Sequence, residues 1–159
     1  MRRELHRITA EEQVDINFIG KAVEFMRTYG DRCHHGKEEN ILFAALADKS
    51  ISAEHERTRR RLMQEHARAR QMLAALVDAT EEYVDDKEGA LTTIAEYLEG
   101  LVELYPDHIA TEDEHFFIPI MEYFSEAEQQ DMLEEFADFD RKLFHKTHQE
   151  TVTELEQTN

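Results

Sequence analysis

The sequence predicts an all-α fold, an antiparallel helical bundle. Five Gly and two Pro in 159 residues are too few for the frequent turns of an all-β fold. Ala, Leu, Glu, Gln, Arg and Met, all good helix formers, are plentiful. Apolar residues recur at helical spacing through long stretches separated by short polar breaks. The length sets the expectation of one domain over 1–159, with its core in 15–123 and a C-terminal helix over about 126–156.

Residues 2–12 form a short polar helix anchored by Leu5 and Ile8. Asp15 is placed to cap the next helix, about 16 to 47, whose stripe is Ile19, Val23, Met26, Ile41, Leu42 and Ala45. Gly30 weakens that helix locally. The turn at Asp48-Lys49-Ser50-Ile51-Ser52 ends it, and Ser52 caps a third helix over about 53–84 with Leu62, His66, Ala69, Leu73 and Leu76 inward. Asp85-Asp86-Lys87-Glu88-Gly89 breaks the chain again. The fourth helix, about 90–123, carries Ile94, Leu98, Leu101, Tyr105, His108, Glu112 and Phe116 on one face, with Pro106 expected to kink it. Ser125 and Glu128 form a capping box for the last helix, whose apolar face is Met132, Leu133, Phe136, Phe139, Leu143, Phe144, Val152 and Leu155. Long helices joined by short loops pack antiparallel.

A net charge of −18 argues against nucleic acid, which needs a basic face. No apolar run approaches the roughly 20 residues of a membrane span, and the N-terminus lacks the apolar stretch of a signal peptide. The single cysteine, Cys33, cannot close an internal disulfide. A cytoplasmic location is therefore expected.

His34 is followed four residues later by Glu38, and His108 by Glu112. On a helix this spacing puts an imidazole and a carboxylate on one face. The two pairs are offset by 74 positions (108−34, 112−38), and Leu42-Phe43 matches Phe116-Phe117 at the same offset. They read as matched halves of one metal site. His35 and Glu39 have the same spacing and align with Leu42 and Leu46, so periodicity leaves the two registers open. A carboxylate facing a bundle core is costly unless paired or metal-bound. Ion pairing with Arg59, Arg70 or Arg141 is the alternative to metal. His66 lies in an apolar seam, His115 shares the face of His108 and Glu112 one turn on, and His55 is three turns from His66, too far to share its site. His6, His145 and His148 are expected on the surface. Imidazole with carboxylate suits iron, manganese or zinc.

Asp31-Arg32-Cys33-His34-His35-Gly36-Lys37-Glu38-Glu39, Gln64-Glu65-His66 with Arg70, and Tyr105-Pro106-Asp107-His108 with Glu112 and Phe116-Phe117 resemble the hemerythrin-like (HHE cation-binding) family. The resemblance covers about residues 15 to 150 and implies a four-helix bundle, here with a shortened first helix and an extra C-terminal one. It implies His34, Glu38, His66, His108 and Glu112 as metal ligands, with His115 a weaker candidate and His35 and Glu39 outside the ligand set. The implied cofactor is a non-haem pair of irons bridged by Glu38 and Glu112. The implied activities are binding or sensing of dioxygen, or redox turnover of peroxide or nitric oxide; an iron-handling role with little bound metal is a further reading. Leu42, Leu62, Leu101 and Phe116 are expected to surround the site. The shortened first helix removes the further His that relatives carry there. Water, His115, a His of the last helix, a second subunit or a longer natural N-terminus would have to replace it. An uncovered apolar face then leads us to expect a homodimer.

Overall fold

The computed structural model describes residues 1–157, with side chains described for 1–146 and 149. Five helices follow one another, and the described residues include no strand. Helix α1 is Arg2–Glu11. Helix α2 runs over 16–47 and is α-helical at Ile16–Phe25 and Phe43–Ala47, but π-helical at Met26–His35 and Glu38–Leu42. Helix α3 is Ala53–Val84. Helix α4, over 90–123, is α-helical through Ala110, π-helical at Thr111–Phe116, and closes through Phe117–Ile120 and a 3₁₀ turn at Met121–Tyr123. Helix α5 is Glu126–Gln157.

The caps are those the sequence predicts. The Phe18 amide donates to Asp15 Oδ1 at 3.0 Å, and the His55 amide to Ser52 Oγ at 3.1 Å. Around Ser125, the Ser125 amide donates to Glu128 Oε2 at 2.8 Å while the Glu128 amide donates to Ser125 Oγ at 3.3 Å. Each satisfies helix-end N–H groups that have no intrahelical acceptor. Before α4, the chain takes φ +83° at Gly89, a conformation that disfavours a side chain. Helix α1 is tied to the start of α2 by the Asp15 amide, which donates to the buried Glu4 at 2.7 Å.

Two apolar clusters fill the bundle. One joins Ile8, Ile19, Val23, Leu73, Leu76, Ile94, Leu98 and Leu101. The other joins Leu42, Phe43, Leu46, Leu62, Phe116, Ile120, Phe124 and Met132. The inward faces of α3 and α4 are those expected. In α2 the buried set also includes His35, Phe43 and Leu46. A strict α-helical stripe through Ile41 and Ala45 misses these residues because two stretches of this helix are π-helical.

Helix α5 corrects its expected apolar face. Met132 is buried, but Leu133 and Phe144 are 60% and 63% exposed, while the side chains of Val152 and Leu155 lie outside the described residues. The first half of α5 packs across α2. Lys49 pairs with Glu128 at 2.5 Å and Lys37 with Asp140 at 3.0 Å. A Cβ on Gly36 would stand 2.8 Å from the Phe139 ring, so the missing side chain permits this close crossing. No helix among the described residues is long and apolar enough to cross a membrane.

Candidate metal centre

Between the apolar clusters lies a polar layer. His35, Glu38, His66, His108 and Glu112 are all buried, at 5% exposure or less. The His34 side chain, 48% exposed, closes the layer from one side. Helix α2 contributes His34, His35 and Glu38, α3 contributes His66, and α4 contributes His108 and Glu112.

The two carboxylates span the layer. Glu38 turns Oε1 to His34 Nε2 at 3.0 Å and Oε2 to His66 Nε2 at 3.4 Å. Glu112 turns Oε2 to His34 Nε2 at 3.6 Å and Oε1 to His108 and His66 at 3.1 and 3.5 Å. These are convergent distances without hydrogen-bond alignment. Both Glu38 oxygens, Glu112 Oε1, and Nε2 of His66 and His108 are buried with no aligned partner. Such orphaned groups are costly in a native core, and they are the donors a cation would satisfy. Two groups of donors result: His35, His66 and His108 in one, and His34, Glu38 and Glu112 in the other, the atoms of each group within 4.8 Å of one another.

A ring of carboxylates fixes the imidazoles from behind. Glu39 meets His66 Nδ1 at 2.7 Å, Glu65 meets His108 Nδ1 at 2.8 Å, and Asp31 meets His35 Nδ1 at 3.4 Å. A carboxylate at Nδ1 holds the proton there and leaves the Nε2 lone pair facing the layer. Arg70 connects two of these carboxylates, donating from Nε to Asp31 at 2.6 Å and from a terminal nitrogen to Glu39 at 2.9 Å. The rings of His35 and His66 stack at 3.8 Å.

Burial, together with the charge of Glu112, pushes the Glu38 carboxyl up to about 8. Burial acts the same way on Glu112, but the facing imidazoles of His108, His34 and His66 outweigh it and hold Glu112 well below the usual carboxylate range. The neighbouring Glu112 carboxylate raises His34. On His108, Glu112 and Glu65 outweigh burial and raise the imidazole. Burial and the adjacent His66 push His35 down to about 4. In the metal-free chain the two carboxyls are thus pushed in opposite directions, Glu38 toward its protonated form and Glu112 toward its ionised one.

His34, Glu38, His66, His108 and Glu112 are brought together as the sequence pairs them. His35 joins them, although the resemblance sets it outside. An α-helix separates neighbours around its axis, but the i→i+5 turns over 26–42 change the angular register, and both His34 and His35 reach the layer. Two signals for His35 are present in the sequence: its register with Leu42 and Leu46, and Asp31 four residues earlier. His115 stands apart with a 73% exposed side chain near Glu114. His55 bonds the Tyr123 hydroxyl at 2.9 Å. His6 and His145 are exposed, and the side chain of His148 lies outside the described residues. The ion-pair alternative is not realised at Glu38 or Glu112: Arg59 binds Glu56, Arg141 binds Asp138, and Arg70 binds Asp31 and Glu39. The Cys33 thiol, raised by burial, sits 3.4 Å from Asp140.

The family model for the hemerythrin HHE cation-binding domain matches residues 1–118, and matches a second time over 57–157. The chain belongs to the hemerythrin HHE cation-binding family. The two matches share residues 57–118, which hold most of α3 and α4. No curated protein and no solved structure gives a match. Metal binding is thus supported from two sides, by a family named for cations and by a buried donor cluster that fits them.

Two outcomes follow for the isolated site. Between the ordinary carboxylate value of 4.5 and about 8 the folded metal-free chain keeps the Glu38 proton that the unfolded chain has lost. Its stability should therefore fall as the pH rises through that window. Glu38→Gln should make the slope shallower in urea unfolding at a series of pH values, the remainder coming from the raised imidazoles of His34 and His108; an unchanged slope would place its origin elsewhere. Arg70→Met should lower metal affinity roughly 10–100-fold with the helical circular dichroism retained, as losing ligand-orienting partners does. A competitive chelator titration measures it.

Proposed function

We propose that this chain is a non-haem di-iron protein that binds or senses dioxygen at the His/Glu layer. The observation that carries this reading is the posture of the two carboxylates, each directing one oxygen toward His34 and the other toward the imidazoles of α3 and α4. One ion needs no such spanning pair; two ions side by side do. Glu38 and Glu112 would bridge them, with His34 as terminal ligand on one side and His35, His66 and His108 on the other. Buried carboxylates joined to helix-borne His residues are the donor inventory of di-iron bundles, and imidazole with carboxylate suits iron over softer-ligand metals. A bound iron pair supplies open coordination positions for a diatomic ligand.

The chain's own residues do the rest. Leu42, Leu62, Leu101 and Phe116, all buried, keep water from the layer. Glu39, Glu65 and Asp31 hold the imidazoles in the ligating tautomer. His35 supplies a further nitrogen beside His66 and His108, so this chain alone offers donors on both sides of the layer. Redox turnover of peroxide or nitric oxide is the second reading, favoured by the half-exposed His34, which opens the layer to entering molecules.

Metal analysis of freshly purified protein, with an absorption spectrum taken first without and then with air, tests the proposal. About two irons per chain and a charge-transfer band that appears in air and vanishes on deoxygenation are expected. A band that decays with net consumption of added peroxide would favour turnover. Zinc, or one iron or fewer with no spectral response, would contradict the di-iron reading.

A further inference from the structure

A cavity of about 440 Å³ lies beside His34 and Glu38, far larger than a diatomic ligand requires. Its walls are apolar: Leu42 from α2, Phe117 and Met121 from the end of α4, Met132 and Phe136 from α5. The polar side chains on its lining are committed elsewhere. Gln129 donates to the carbonyls of Met121 and Phe124 at 3.1 Å each, and Lys37 pairs with Asp140. His34 and Glu38 are the exceptions: His34 is half-exposed, and Glu38 is a 5% exposed carboxylate whose two oxygens have no aligned partner. The chamber therefore offers apolar contact along its length and oxygen chemistry only at its inner end.

Its place in the fold says what can occupy it. Helix α5 already roofs it, pinned on either side of Met132 and Phe136 by the Lys49–Glu128 and Lys37–Asp140 pairs. Ile118 and Leu133, both exposed, mark its mouth, and the space inward of them, between α2, α4 and α5, suits a slender molecule. A methylene is about the size of a water in the liquid, roughly 30 Å³, so the volume suits a chain on the order of ten carbons. Small-molecule pockets typically fall in this size range, apolar with a few convergent polar groups.

We infer that this chamber binds a medium-chain aliphatic monocarboxylate, its chain between α2, α4 and α5 and its head at His34 and Glu38. The head-group half of the inference rests on the metal reading above; the chain half does not. With a chain of net charge −18 and two carboxylates at the inner end, an anionic head is selected only when cations are held there. The protein would then carry an organic ligand directly beside its oxygen-binding centre.

Calorimetric titration with hexanoate, octanoate, decanoate and 1-decanol, on metal-loaded and chelator-stripped protein, tests both halves. Affinity should rise about fourfold per methylene. Decanoate should bind about tenfold or more tightly to the metal-loaded form, while 1-decanol should bind both forms alike. Met121→Trp, which fills the chamber, should weaken both ligands at least about tenfold with metal content unchanged; Leu133→Trp at the rim provides the same test should Met121→Trp fail to fold. Absence of saturable binding by folded protein, binding independent of chain length, or binding untouched by the filled chamber would overturn the inference. Protein that retains no metal yet binds 1-decanol would keep the chamber, overturn its carboxylate selectivity and remove the di-iron reading separately.

Discussion

Five buried ionisable side chains, His35, Glu38, His66, His108 and Glu112, are held between two apolar clusters, and the rest of the fold is arranged around satisfying them. Left alone, such a layer works against folding. Its carboxylates repel, and several of its donors and acceptors face no aligned partner. One carboxylate takes up a proton and the other is held ionised by surrounding imidazoles, which reduces the repulsion without removing it. A pair of cations would neutralise the layer and satisfy the orphaned atoms together. Binding energy of that kind adds directly to folding energy when the unfolded chain cannot offer the same site.

The backbone adapts to this layer. Three π-helical segments, Met26–His35, Glu38–Leu42 and Thr111–Phe116, bracket or contain its α2 and α4 donors. Wide turns of this kind are uncommon and recur at functional sites. Here they let the adjacent His34 and His35 both serve the layer. Helix α3, α-helical throughout, contributes a single donor, and its other site residues, Glu65 and Arg70, act from behind the imidazoles. Asp31, Glu39, Glu65 and Arg70 thus convert flexible side chains into a fixed donor set.

This division explains what could be read from the sequence. Helix boundaries, caps and the inward faces of α3 and α4 were legible because they follow α-helical period and local capping chemistry. The offset of 74 between His34/Glu38 and His108/Glu112 exposed the paired design. His35 was harder, since the α-helical period makes it compete with His34, and only a π-helical turn admits both. Its alignment with Leu42 and Leu46, both buried, carried the information. The exposure of Leu133 and Phe144 was not legible: an apolar stripe records what could be buried, and α5 has a neighbour to cover only part of it. His115, the weaker candidate, shares a nominal face with Glu112, yet its side chain is 73% exposed.

Iron K-edge X-ray absorption on the purified protein tests whether the spanning carboxylates hold two ions side by side. A nitrogen/oxygen shell together with a second iron at roughly 3.5–4 Å is expected. A nitrogen/oxygen shell with no iron neighbour, at full metal loading, would contradict it.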